Sequence, residues 1–193
     1  MSGIKLSFSG KDQDQSAISK RCPVRMNKQY PPIPIVSFVG HSNTGKTTLI
    51  EKLVPELARL GLDVGTIKHD VHGFDIDVPG KDSWRHKQAG AKRTIIASPK
   101  KLALIQDTDH DLSLEELAVY FRGLNLILTE GYMREGKYKV EVFRPEVHSE
   151  PLCQGDENLI ALVSDTTLDL GVPRFRTGDV AGLASFLKKR FCL

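Results

Sequence analysis

Residues 38–53 read FVGHSNTGKTTLIEKL and contain the most informative pattern in the chain. A short apolar run passes through glycines and polar residues into an apolar pattern of helical spacing. The segment 40–47 fits the spacing G-x-x-x-x-G-K-[ST], the P-loop, whose glycines let backbone N–H groups face a phosphate. In this motif Lys46 brings a positive charge to the β- and γ-phosphates, and the Thr47 hydroxyl binds Mg²⁺. The loop residues predicted to surround the phosphates are Ser42, Asn43, Thr44 and Gly45.

The rest of the chain alternates between strand-like and helix-like patterns. Continuous apolar runs and amphipathic patterns in alternation predict an α/β fold, P-loop NTPase-like, with a mostly parallel sheet and helices on both faces. A tight turn at Pro99 and Lys100 predicts an antiparallel hairpin extension, and the alternating segment 137–146 predicts an edge strand. Ser113 and Glu116 have the spacing of a capping box. The other predicted strands are 35–39, 63–70, 94–98, 101–108, 124–131 and 158–165, and the predicted helices are 47–61, 81–91, 113–121 and 179–191.

Length and composition narrow the class of protein. With 193 residues, 40% hydrophobic and 26% charged, the chain suits one globular domain with an appendage. Residues 1–32 are polar and aperiodic and predict a disordered extension, which leaves 33–193 as the P-loop nucleotide-binding domain. The net charge of +3 reflects a basic excess in the first 30 residues, which gives no support for nucleic-acid binding.

The cysteines and the apolar runs bear on the compartment. The three cysteines lie far apart without a C-x-x-C pair, which suits a reducing environment better than a disulfide framework. No apolar run reaches the 18 residues of a membrane span, and the N-terminus has no apolar core of a secretory signal. We therefore expect a cytoplasmic protein that does not enter a membrane.

Two acidic residues are candidates for the magnesium side of the site. Glu130 ends the apolar run 124–131, and ligands of open α/β sheets bind at the carboxyl ends of the strands. Glu130 is therefore predicted to face Mg²⁺, although a solvated strand end would look the same. Asp82 falls in the first turn of the helix at 81–91, where it suits either a second metal-facing carboxylate or stabilisation of the helix dipole.

Other polar residues are less informative. His69 and His72 have no matching Cys or His pair at a spacing typical of zinc sites, so we interpret them as loop histidines. No guanine-reading [NT]KxD motif is present, and Asp165 ends a late strand where a base-reading residue can lie. The residues alone predict a purine nucleoside triphosphate as ligand.

Four segments resemble the MobB family, the molybdopterin-guanine dinucleotide biosynthesis adaptor proteins. They read GHSNTGKTTLI, IKHDVHGFDIDVPGKDS followed by AGA, NLILTEGY, and DVAGLASFL. The second segment is the most specific because P-loops are common, and the similarity runs from about Pro34 to Phe191. Asn125 stands where the family more often has Asp, and Tyr132-Met133 replaces a Phe-Lys pair. Neither change removes a phosphate or metal ligand.

The resemblance implies GTP with Mg²⁺, slow GTP hydrolysis, a homodimer, and a partnership with the guanylyltransferase that joins GMP to molybdopterin. Molybdopterin itself is a further candidate ligand. Carried over by position, Gly45, Lys46, Thr47 and Thr48 bind phosphate and Mg²⁺, and Glu130 binds the metal. Lys46 and Glu130 are the residues expected to carry the weak catalysis. Dethiobiotin synthetase, a distant P-loop relative, has an acidic residue that opens the corresponding helix, which supports Asp82 as a metal-side group.

Two alternative functions use the same motif. A small-molecule kinase would need an acceptor pocket and a lid, usually rich in arginine, and no such insertion is evident. A metal-insertion GTPase for a nickel enzyme would show a His-rich tail or a Cys/His pair near the P-loop, and neither is present. An arginine finger raises phosphoryl-transfer rates by about 10³–10⁵, and no obvious one is visible here. Arg85, Arg93 and Arg134 are the candidate stabilisers.

Overall fold

The computed structural model describes residues 32–193, so the predicted extension 1–32 lies outside the described residues except for its last one. The elements run in the order β1 (Ile35–Val39), α1 (Lys46–Arg59), β2 (Val64–Lys68), α2 (Asp82–Gln88), β3 (Arg93–Ser98), β4 (Lys101–Gln106), α3 (Leu114–Ala118), a 3₁₀ turn (Val119–Phe121), β5 (Leu126–Glu130), β6 (Lys139–Val142), β7 (Leu159–Val163), β8 (Arg174–Phe175) and α4 (Val180–Arg190).

Six strands form one sheet in the order β2-β5-β1-β6-β7-β8, and every neighbouring pair is parallel. The strand β1, which leads into the P-loop, therefore lies between β5 and β6 near the middle of the sheet. Strands β3 and β4 form a separate antiparallel hairpin joined at Ser98 and Lys101. Both the parallel sheet and the predicted hairpin extension are confirmed.

Helices α1 and α4 cover one face of the sheet. Leucines at every fourth position of α1 form one apolar stripe, and this spacing is what places them all toward the core. Each fully buried leucine of this kind contributes about 2 kcal/mol through the hydrophobic effect. The stripe and two leucines of α4 pack against alternate residues of the central strands. The helix residues are Leu49, Leu53, Leu57, Leu183 and Leu187, and the strand residues are Val36, Phe38, Leu126, Leu128, Val140 and Val142.

The opposite face is covered by shorter pieces of chain. Phe121, at the end of the 3₁₀ turn, lies over Gly65 of β2, where an added Cβ would be 2.2 Å from its ring. Farther along the sheet, a second apolar cluster joins Val39 and Leu159 to Cys153 and to partly buried residues of the loops around it. The capping box at the start of α3 is confirmed, since Ser113 Oγ accepts the N–H of Glu116 and the Ser113 N–H donates to the Glu116 carboxylate.

The prediction of an edge strand at 137–146 is wrong. Strand β6 lies between β1 and β7, and all four of its residues are buried. Its alternating charges are compensated inside the protein. Lys139 Nζ lies 2.7 Å from Asp156 Oδ2, and the Glu141 carboxylate accepts the backbone N–H groups of Leu152 (2.6 Å) and Cys153 (3.0 Å).

The edges of the sheet are β2 and β8. Strand β8 was not predicted because two residues, Arg174 and Phe175, are too few to produce a periodic pattern. Among residues 32–193, none of the helices has the length and apolar character needed to cross a membrane.

Candidate functional site

The P-loop curls because two of its glycines provide backbone shapes that other residues rarely adopt. Gly40 has φ +141°, and a Cβ there would lie 2.4 Å from the carbonyl oxygen of Val142. Gly45 has φ +94° and occupies the position before the first residue of α1. Asn43 also lies in the left-handed region, with φ +64°. The loop therefore wraps around the positive N-terminal end of α1, a suitable place for phosphate.

Lys46 is folded into the loop that precedes it. Its Nζ donates hydrogen bonds to the carbonyl oxygens of Gly40 (2.9 Å) and His41 (2.8 Å). Burial lowers the pKa of Lys46, and the nearby charge of Glu130 partly opposes this effect. The ammonium group thus lies at the centre of the loop with partners that phosphate oxygens can replace.

The remaining predicted P-loop residues divide into two kinds. Thr44 is buried, and its hydroxyl donates to the His41 carbonyl oxygen at 3.0 Å, so its side chain fixes the loop rather than facing a ligand. Ser42, Asn43 and Thr48 are exposed around it. Thr48 also lines a cleft beside the start of α1.

The side chains of Thr47, in the first turn of α1, and Glu130, at the end of β5, are in contact. The Thr47 hydroxyl lies 2.8 and 2.9 Å from the two carboxylate oxygens of Glu130. Glu130 ends β5 directly opposite Phe38 of β1, which explains how two residues 83 positions apart come together. A hydroxyl and a carboxylate are the oxygen ligands that Mg²⁺ prefers, and the contact places them side by side. The donor set therefore fits this ion.

Asp82 is not part of this contact. It lies in the first turn of α2 as predicted, but its side chain is 91% exposed and its nearest charged partner is Arg85 at 3.9 Å. In the part of the chain that the structure describes, no three His, Cys, Asp or Glu side chains converge in a way that could hold a metal ion. Phosphate oxygens and water would therefore have to complete the coordination of a Mg²⁺ at Thr47 and Glu130.

Beside Glu130 lies a cluster of His69, Asp111 and Tyr132 that no sequence pattern predicted. The N–H of His69 donates to the Glu130 carbonyl oxygen at 3.0 Å, and His69 Nε2 lies 2.9 Å from the Asp111 carboxylate. The ring of Tyr132 packs against the His69 ring with centroids 4.4 Å apart. Tyr132 has φ +54° and donates its hydroxyl to the Leu112 carbonyl oxygen. Because Asp111 lies 42 residues from His69, no local spacing could have revealed the pair.

On the other side of the P-loop, the turn that follows β6 packs against it. The carbonyl oxygen of Arg144 accepts the N–H groups of Val147 and His148, both at 3.1 Å. The His148 ring stacks on the ring of His41 in the P-loop, with centroids 3.7 Å apart. The Arg144 guanidinium lies against Gly45, with Nη2 3.5 Å from the position that a Cβ would take there.

Asp165 lies at the tip of β7, where the sequence suggested a base-reading residue. Its carboxylate accepts the N–H of Thr177 at 3.1 Å and also the Thr177 hydroxyl. These hydrogen bonds lower the pKa of Asp165, and the charges of Arg176 and Arg144 act in the same direction. The carboxylate therefore fastens the tip of β7 to the segment that leads into α4.

The comparison with protein families agrees with this arrangement. The model of the family described as MobB, molybdopterin guanine dinucleotide synthesis protein B, matches residues 35–165. The chain belongs to the MobB family. The matched range includes the P-loop, Glu130 and the tip of β7, whereas Thr177, the partner of Asp165, lies beyond it.

Relatives and solved structures match most of this MobB chain. The molybdopterin-guanine dinucleotide biosynthesis adapter protein of Escherichia coli is 41% identical over 80% of this chain and 91% of its own. The protein of the same name from Haemophilus influenzae is 36% identical over 84% of this chain and 90% of its own. A crystal structure of molybdopterin-guanine biosynthesis protein B superposes with a TM-score of 0.64 at 32% identity, covering 81% of this chain and 99% of that one. The Bacillus subtilis MobB structure gives a TM-score of 0.64 at 28% identity, over 81% and 98%.

Proposed function

We propose that this MobB protein binds GTP with Mg²⁺ through its P-loop and assists, in the cytoplasm, the guanylyltransferase that joins GMP to molybdopterin. The contact between Thr47 and Glu130 is the observation that carries the nucleotide part of the proposal, because it brings a hydroxyl and a carboxylate together beside the phosphate loop. The names of the Escherichia coli and Haemophilus influenzae relatives, adapter proteins of molybdopterin-guanine dinucleotide biosynthesis, support the pathway.

Binding of the triphosphate would replace hydrogen bonds that Lys46 makes within the P-loop. Lys46 would give up its hydrogen bonds to the Gly40 and His41 carbonyl oxygens and donate to phosphate oxygens instead. Hydrogen bonds between an ammonium and a phosphate are charge-assisted and stronger than those to a carbonyl. Thr47 and Glu130 would hold Mg²⁺, which neutralises charge on the β- and γ-phosphates when bound.

Slow hydrolysis is consistent with the surroundings of the P-loop. Of the three arginines considered from the sequence, Arg85 lies near Asp82, and Arg93 donates to Gln106. Within residues 32–193, none of Arg85, Arg93 and Arg134 makes a hydrogen bond or ion pair with a P-loop residue. An arginine at the terminal phosphate is worth about 10³–10⁵ in rate, and since none of these three contacts the P-loop, we expect slow hydrolysis.

Two exposed apolar surfaces support the proposed partners. The hairpin of β3 and β4 exposes Ile95, Ile96 and Leu102, at 57%, 46% and 68%. We assign the homodimer contact to this hairpin, because exposed apolar patches often mark the surface that another chain covers. Phe74 and Ile76, in the loop between β2 and α2, are also exposed, and we assign contact with the transferase to this loop.

The first test is equilibrium binding of GTP and ATP, by calorimetry, with Mg²⁺ and with a chelator. We expect a clear preference for GTP that depends on Mg²⁺. Lys46→Ala should weaken GTP binding by about 100-fold while the folded state persists, because a charged hydrogen-bond donor is lost. The exposed Lys137 provides the matched control, and Lys137→Ala should bind normally.

Each part of the proposal has its own contrary result. Normal GTP affinity in the Lys46→Ala variant would refute the P-loop assignment. Equal affinity for ATP and GTP, or a preference for ATP, would refute the guanine assignment and favour the small-molecule kinase instead.

A further inference from the structure

A cleft extends from the P-loop on the side away from Glu130. It runs along the start of α1 toward the segment between β8 and α4, and its lining includes Thr48, Lys52, Arg144 and Thr177. Strand β6, which carries Arg144 at its end, pairs with β1 on the opposite side from β5, which carries Glu130. A nucleotide with its terminal phosphates at Thr47 and Glu130 would therefore extend its nucleoside into this cleft.

The backbone of Arg144 is fixed at the edge of the cleft, and its side chain is exposed. It follows directly on the buried strand β6 and Phe143, and its carbonyl oxygen closes the turn that ends at His148. The stack of His148 on His41 fastens this turn to the P-loop. Within residues 32–193 the Arg144 guanidinium makes no side-chain hydrogen bond and lies within 4.0 Å of no carboxylate. Among the described residues, therefore, no side chain or backbone group occupies its N–H donors.

The charged groups that line the cleft are donors. Besides Arg144, the cleft has the ammonium group of Lys52. Among the described residues no carboxylate lines the cleft, and the Asp165 carboxylate, outside the lining, accepts both the N–H and the hydroxyl of Thr177. A cleft of this kind favours a base edge that carries acceptors.

The two purines differ on that point. Guanine presents two adjacent acceptors, O6 and N7, whereas adenine presents the acceptor N7 beside the donor N6. A planar guanidinium matches O6 and N7 with two parallel hydrogen bonds, and adenine would place its amino group against one of those donors. We propose that Arg144 binds the O6 and N7 edge of GTP and thereby selects guanine over adenine. This inference rests on the proposed function, since it concerns the base of the same nucleotide.

Nucleotide analogues test the contact atom by atom. Competition binding with the full chain and Mg²⁺ compares GTP with inosine triphosphate, 7-deaza-GTP and ATP. Inosine triphosphate keeps O6 and N7, so it should bind within about twofold of GTP. Loss of N7 in 7-deaza-GTP removes one charged hydrogen bond and should weaken binding about tenfold, and ATP should bind about 100-fold more weakly.

Variants of Arg144 connect these differences to the residue. In Arg144→Ala, GTP should bind about 100-fold more weakly, and GTP and 7-deaza-GTP should become equal. Arg144→Lys keeps the charge but loses the rigid fork, so its discrimination against 7-deaza-GTP should fall between those of the unmodified chain and Arg144→Ala. Arg59→Ala, at the far end of α1, is the matched control and should behave like the unmodified chain.

Contrary outcomes separate this inference from the proposed function. Equal binding of 7-deaza-GTP and GTP by the unmodified chain would overturn it. So would weak binding of inosine triphosphate, which lacks only the N2 amino group and would show that the protein reads that group instead. A preference for GTP over ATP that survives in Arg144→Ala would overturn this inference alone. Absence of any GTP preference in the unmodified chain would refute the guanine assignment of the proposed function, and this inference with it.

Discussion

The ion pair inside the central strand offers a sharp test of why β6 tolerates charge. Lys139 has a side chain that is only 7% exposed, and its Nζ lies 2.7 Å from Asp156 Oδ2. The Asp156 side chain is 25% exposed, so water reaches one partner and hardly the other. Asp156→Asn keeps the size of the side chain and its acceptor for the Asn158 N–H, and it replaces the charged oxygen that accepts from Lys139 with an amide NH₂.

The expected loss follows from this burial. Removing one partner of a fully buried pair costs about 3–5 kcal/mol, whereas exposed pairs contribute about 0–1 kcal/mol. Because Asp156 is partly solvated, we expect Asp156→Asn to lower the free energy of unfolding by about 2–3 kcal/mol. The double variant Lys139→Met with Asp156→Asn removes the stranded ammonium and should recover most of that loss.

The assay is urea unfolding followed by circular dichroism at pH 7 and at several acidic pH values. The hydrogen bond from Lys139 is the largest cause that lowers the pKa of Asp156 in the folded protein. The unfolded state therefore takes up the proton first, so the stabilisation is full above the ordinary aspartate pKa of about 3.9 and is lost as pH falls through the folded value. The difference in free energy of unfolding between the unmodified chain and Asp156→Asn should therefore decrease as the pH falls.

Two results would refute this reasoning. A loss below about 0.5 kcal/mol at neutral pH would mean that the pair contributes no more than an exposed one. A double variant as unstable as the sum of its single changes would mean that the two side chains act independently.

Two further predictions concern packing and assembly. Gly65→Ala should lower the free energy of unfolding by about 1–3 kcal/mol in a urea titration, because the new Cβ would lie 2.2 Å from the Phe121 ring. Adding Phe121→Leu should restore part of this loss. An unchanged unfolding midpoint in Gly65→Ala would show that the Phe121 ring moves freely. Leu102→Asp should convert the proposed homodimer to a monomer in sedimentation experiments, because the dimer contact would then bury an unpaired charge. A dimer that persists would exclude this hairpin as the contact.

The sequence predicted the parts of the molecule that depend on near neighbours. The P-loop is one continuous strand, turn and helix, so its glycines, Lys46 and Thr47 need no distant partner to be recognised. The capping box of Ser113 and Glu116 spans three residues, and the hairpin follows from its turn. Buried strands of a parallel sheet are apolar along their whole length, which made β1, β5 and β7 evident.

The features that depended on distant partners required the tertiary structure. Strand β6 reads as an exposed edge because Lys139 and Glu141 alternate with valines, and only the folded chain supplies Asp156 and two backbone N–H groups to compensate them. The contact between His69 and Asp111 joins residues 42 positions apart. Likewise, nothing in the local pattern connects Arg144 to Gly45.

The division has a physical cause. Backbone conformation and hydrophobic periodicity act over a few residues, so the phosphate loop, the strand and helix alternation and the position of Glu130 at a strand end can be predicted from sequence. The energy of a buried charge depends on which groups surround it in space, and that surrounding is assembled from several strands and loops. The burial of charged residues in the centre of the sheet, and the set of side chains that line the cleft beside the P-loop, therefore became visible only in the folded chain.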